Sequence, residues 1–183
     1  AHYINTVSPT FLTEIVDGHH PFVPENVRQE IRHKAEAGCA AGILNAPDAK
    51  YDPEIDTMIP VNYHAATHRM GKLENKIRLQ ETLGLEVNPD AAILFWPSRL
   101  DPIQKGPQLL SHILYDIVAR YWNVPLQVVF VASGSFQQPF RDIVAHHDLY
   151  RRVAVCDFDE GLSRQAFAGS DFMLMPSLFE PCG

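Results

Sequence analysis

Apolar and polar positions in the second half of the chain switch between two rhythms. Residues 91–96, AAILFW, are apolar throughout and run into Pro97 and Ser98, which predicts a buried strand. From 107 to 122 apolar residues fall at 109, 110, 113, 114, 117, 118 and 121, the spacing of one helical face. LQVVFVASG, 126–134, is β-branched and ends in small residues, so it predicts a second buried strand. A helix is predicted over 137–150, a third strand over 152–158, a short helix over 160–169 stopped by Gly169, and a fourth strand over 171–177 closed by Pro176.

The first ninety residues are less regular. SPTFLTEIV predicts a short helix with Ser8 as N-cap and Pro9 in its first turn. A second helical stretch covers 24–38 and ends at Gly38, and AAGILNAPD is a short apolar strand breaking into a turn. Residues 47–63 are rich in turn formers and predict a surface connector, and 68–84 is a charged amphipathic helix with Gly84 near its C-cap. The change of character divides the chain into an irregular lead-in, 1–90, and a βαβ series, 91–183. Strands alternating with helices specify an α/β fold, a Rossmann-like parallel sheet with flanking helices. In such sheets ligands bind outside the carboxyl ends of the strands. The loops to examine are therefore SRLDPIQKG, ASGSFQQ, DFDEG and SLFEPCG.

Composition narrows this little. A chain of 183 residues is one domain, or one with a smaller attached segment, and hides roughly 70% of its unfolded surface. A net charge of −7 argues against nucleic-acid partners, and no stretch is long and apolar enough to span a bilayer. The N-terminus lacks the basic-then-apolar pattern of a signal peptide. Cys39, Cys156 and Cys182, odd in number and far apart, read as reduced thiols of a cytoplasmic protein. None of the nine histidines has a metal-ligand spacing, so no metal is expected, and the pairs His19-His20 and His146-His147 read as solvated loop or helix-end residues.

Candidate chemistry sits on the strand-end loops. Arg99 and Lys105 follow the first strand of the series, with Gly106 opening the next helix. Two cations beside a helix N-terminus make a phosphate site, although two solvated surface cations would look the same. VASG with Ser135 lacks the Gly-x-Gly-x-x-Gly pattern and reads as a plain strand-to-helix turn. Phe158 stands where a flat ring could stack, or it joins the core; Asp159 is a plausible N-cap. Glu180 accepts from sugar hydroxyls or merely marks a helix start.

Five blocks, TVSPTFLTEI, GILNAPD, YDPEID, SRLDPIQKG and DFMLMPSLFEPCG, occur in an order and spacing that resembles the bacterial glycogen synthase and plant starch synthase family across essentially the whole chain. That resemblance implies a retaining transferase of two Rossmann-like domains facing a cleft (the GT-B glycosyltransferase architecture), of which this chain would be a partial C-terminal domain lacking the N-terminal domain and inactive alone. The implied reaction moves glucose from ADP-glucose to the non-reducing end of an α-1,4-glucan. It needs no cofactor beyond the donor ADP-glucose, in the cytoplasm, or in the plastid of a plant. The implied partners are a nucleotide sugar, the glucan acceptor and the missing domain. Carried over by motif, Arg99 and Lys105 bind the donor diphosphate, and Glu180 contacts the donor glucose. Asn45 lines the cleft, Phe158 stacks near the base, and the backbone N–H groups of Cys182 and Gly183 face donor sugar or phosphate. The chain departs from the family pattern where Ile103 places Lys105 six residues after Arg99 rather than five, and at Ala46, Ala132 and Leu178. Other readings are a non-catalytic nucleotide- or glucan-binding module, or a GT-B transferase with a different donor.

Overall fold

The computed structural model describes residues 1–182, which pack as two compact units, 1–48 with the segment from Phe179 on, and 49–178. The packing thus divides at Asp48, whereas the residue patterns change character near residue 90. In the first unit β1 (Ile4–Thr6), α1 (Pro9–Asp17), α2 (Glu25–Glu36) and β2 (Ala40–Gly42) follow one another, and β1 pairs with β2 in parallel. Ser8 caps α1 as expected, its Oγ accepting from Phe11 N at 3.3 Å. β1 has no signature of its own. It exists because Cys39 and Thr6 carbonyls accept from Ile4 N and Ile43 N, at 3.0 and 2.8 Å, across a pairing that no local pattern reports.

The second unit opens with a short 3-10 turn, Ala49–Tyr51, and α3 (His68–Leu83), whose C-cap Gly84 is left-handed as predicted. Then come β3 (Ala92–Trp96), α4 (Pro107–Arg120), β4 (Leu126–Val131), α5 (Gln137–His146), β5 (Val153–Cys156), α6 (Glu160–Gly169) and β6 (Phe172–Met173). All four strands are parallel. Successive strand residues face opposite sides of a sheet. Trp96, Phe130 and Val128 accordingly join Leu110, Leu114 and Phe140 on the α4–α5 face. Ile93, Phe95, Val129 and Val131 join Leu79 and Ala166 on the α3–α6 face. Helices on both faces explain the unbroken apolar runs of β3 and β4, since these central strands are largely buried on both sides. Each fully buried large side chain contributes about 1.5–3 kcal/mol.

Several expectations are corrected here. The fourth strand shrinks to two residues, because β6 meets only β3, through the pairs Leu94↔Phe172 and Phe95↔Met173. α5 stops at His146 and β5 at Cys156, short of the predicted ends. The stretch 47–63 is more than a surface connector: Asp56 and Ile59 are buried, and Arg164 of α6 holds the segment by donating to the Lys50 carbonyl and stacking on Tyr51. His20 is buried rather than solvated, with its Nε2 at 2.9 Å from Glu14 Oε2.

The strand order is β5-β4-β3-β6. The chain steps outward from β3 to β4 and β5, then crosses back to lay β6 on the other side of β3. That reversal creates a topological switch point between β3 and β6, where an open α/β sheet leaves a crevice at its carboxyl edge.

Candidate functional site

The loops leaving the carboxyl edge of the four-stranded sheet are tied to one another. Leu100 N donates to the Ser133 carbonyl at 3.0 Å, joining the loops after β3 and β4. Gly134 lies so close that a Cβ there would sit 2.6 Å from Leu100 O. Across the switch point Leu178 N donates to Gln104 O at 2.8 Å. Gly106 has φ +69°, and a Cβ on it would lie 2.4 Å from the Pro176 carbonyl oxygen, so only glycine fits. The loop after β3 turns on Asp101. Asp101 Oδ1 accepts from Ile103 N at 2.9 Å, Lys105 N donates to Asp101 O at 2.8 Å, and the Ile103 side chain is turned out, 73% exposed.

Two cavities open on this rim. One, of about 420 Å³, is mainly apolar and is lined by Pro97, Arg99, Val131, Ala132, Ser133 and Phe158. The other, of about 250 Å³, is lined by Arg99, Asp101, Ser133, Gly134 and Ser135. Arg99 and Ser133 line both. An apolar slot with an exposed aromatic ring, next to a smaller slot, with a guanidinium shared between them, suits a ligand that is flat at one end and anionic at the other. Burial pushes the Cys156 thiol, at the end of β5, above its ordinary value; Arg141 opposes that shift and Asp157 adds to it. A larger cavity, about 540 Å³, runs along β5 beside α5 and contains none of the predicted site residues.

The structure thus brings Arg99 and Phe158 together from separate loops. Lys105 stands at the far end of the Arg99 loop and lines neither rim cavity. Asn45, Glu180 and Cys182 belong to the first unit. There Asn45 is exposed after β2, and Glu180 is exposed after Phe179, whose ring stacks on Phe22 at 5.2 Å and tilts against His20 at 5.4 Å. Gly183 lies outside the described residues. Ser133 was missed at the sequence level because the small-residue loop lacks a nucleotide fingerprint and reads as an ordinary turn. Among the described residues no three His, Cys, Asp or Glu side chains are grouped as metal ligands, and no helix is long and apolar enough to cross a membrane.

No protein-family model matches the chain. The glycogen synthase of Exiguobacterium sibiricum is 39% identical over 187 residues, an alignment covering 100% of this chain and 36% of that protein. Over its whole length the chain is homologous to glycogen synthases. Those of Bacillus subtilis and Elusimicrobium minutum are 35% and 37% identical, again over 100% of the chain and 36% of their own length. The chain therefore spans about a third (36%) of the length of the curated relatives it matches. Among solved structures, the catalytic domain of starch synthase IV from Arabidopsis thaliana, bound to ADP and acarbose, superimposes with a TM-score of 0.80 at 28% identity. That match covers 100% of the chain and 36% of the plant domain.

Proposed function

We propose that this chain carries the nucleotide-sugar site of a retaining glucosyltransferase that moves glucose from ADP-glucose to the non-reducing end of an α-1,4-glucan. The observation that carries the reading is the meeting of Arg99 and Phe158, from the loops after β3 and β5, on one cavity at the carboxyl edge of the sheet. Whole-length homology to glycogen synthases supports the reaction class, and the ADP held by the starch synthase neighbour supports the choice of nucleotide.

In this reading the base stacks on Phe158 and the guanidinium of Arg99 grips the diphosphate through two parallel N–H donors. As the glycosidic bond breaks, negative charge grows on the departing ADP. A fixed cation stabilises that charge more in the transition state than in the ground state, which lowers the barrier. Lys105 adds a second positive charge to the diphosphate. The family resemblance assigns Glu180 to the hydroxyls of the donor glucose, and Asn45 and the Cys182 backbone N–H to the donor as well. No cofactor is required, because cations and backbone dipoles carry the charge.

The test is titration calorimetry with ADP, together with transfer of labelled glucose from ADP-glucose to glycogen by the protein as its gene encodes it. Arg99→Ala should lower turnover by roughly 10²–10³-fold and weaken ADP. Phe158→Ala should weaken ADP mainly through lost stacking. Unchanged ADP binding in both variants would remove the nucleotide from this cavity.

A further inference from the structure

Phe158 is an apolar ring left 60% exposed, whereas Phe95, Phe130 and Phe140, packed against the central strands, are fully buried. Apolar packing does little to hold such a ring, yet polar bonds fix the loop that carries it. Phe158 N donates to Ser133 Oγ at 3.4 Å. On one side, Asp157 Oδ1 accepts from Arg141 Nη2 at 3.0 Å and also from Gln137 Nε2. Gln137 Nε2 reaches back as well to the Ala132 carbonyl, at 3.2 Å, and so links the ends of β4 and β5. On the other side, Asp159 Oδ1 caps α6 by accepting from Leu162 N at 2.7 Å. Three consecutive residues are therefore each anchored to a different partner, and none of these anchors covers the ring. A flat apolar face held open on a cavity costs hydration in the free protein and saves ordering on binding, as preorganised sites do.

We infer that Ser133, Gln137 and Arg141 are positioning residues that hold the Asp157–Phe158 segment as a rigid stacking platform for the flat base of a nucleotide, while Arg99 holds the anionic end independently. The inference rests on the reading of this cavity as a nucleotide site. It also yields a separation that general structural support would not. The Ser133 backbone carbonyl, which accepts from Leu100 N, ties down the Arg99 loop, whereas the Ser133 hydroxyl accepts from Phe158 N of the platform. Removing the hydroxyl should loosen the base end and leave the phosphate end as it was.

Calorimetry on the full chain with ADP and with inorganic pyrophosphate reads the two ends separately. Ser133→Ala and Asp157→Ala should each weaken ADP by about five- to tenfold, the scale of one lost hydrogen bond. Pyrophosphate should bind as before. Asp157→Asn, whose amide oxygen still accepts from Gln137 and Arg141, should recover part of the loss. Arg99→Ala should weaken both ligands. If Asp157→Ala does not fold, the milder Ser133→Ala decides. Normal ADP binding by Ser133→Ala and Asp157→Ala, beside a loss in Phe158→Ala, overturns the platform and leaves the nucleotide site standing. Normal ADP binding by Phe158→Ala as well removes the base from this cavity and takes both ideas with it. Parallel losses of ADP and pyrophosphate in Ser133→Ala also overturn the platform, since they report general disorder of the rim.

Discussion

Asp56 and Arg164 are each 4% exposed, with Arg164 Nε 3.2 Å from Asp56 Oδ2, near enough to pair in charge though not aligned as a hydrogen bond. Asp56 Oδ1 meanwhile accepts from Met58 N at 2.8 Å, which turns the connector inward. Removing the carboxylate leaves a buried guanidinium uncompensated, so Asp56→Ala should cost about 3–5 kcal/mol of stability in urea unfolding. Replacing both partners with apolar residues of similar volume should recover much of that, and an unaltered midpoint in Asp56→Ala would contradict the account. Nothing local announced this pair. Asp56 sits among prolines and turn formers, and its burial depends on a cation on α6. Ile103 teaches the reverse lesson: its backbone closes a hydrogen-bonded turn on Asp101 while its apolar side chain is left in water.

Among the elements, the helices and central strands were legible because their periodicity is a local consequence of which faces meet water. The three-residue β1 was not, and β6 was legible as a strand but not in its length, since strands this short are bounded by pairing rather than by propensity. Gly106 links these scales. It opens α4 in a left-handed conformation and lets the loop after β6 come close enough for Leu178 N to reach Gln104 O. Gly106→Ala should lose at least about 1–2 kcal/mol for the left-handed backbone alone. The added methyl would also press on the Pro176 carbonyl, so the lower melting temperature should come with weaker ADP binding. A variant that melts like the unaltered protein would show that the two loops do not need this approach.

For the whole molecule the decisive fact is strand order. Laying β6 beside β3 puts the switch point where the Arg99 loop and the Pro176 loop emerge, and it also makes β6 an edge. Phe172 and Met173 on that edge are 61% and 59% exposed. An apolar strand with open hydrogen-bonding groups recruits other strands. The chain should therefore self-associate with rising concentration in sedimentation, and Phe172→Lys should suppress it. A monomeric unaltered chain at the same concentrations would sink the idea. By itself the sequence determined the α/β class, the order of helices and buried strands, and which loops follow the strand ends, because hydrophobic period and turn residues act over a few positions. Only the tertiary structure decided which strands are neighbours, that Arg99 and Phe158 share a cavity, and that Ser133 and Asp157 anchor the ring between them. Those are contacts between residues far apart in the chain, and they are selected by the packing of the whole sheet rather than by any local pattern.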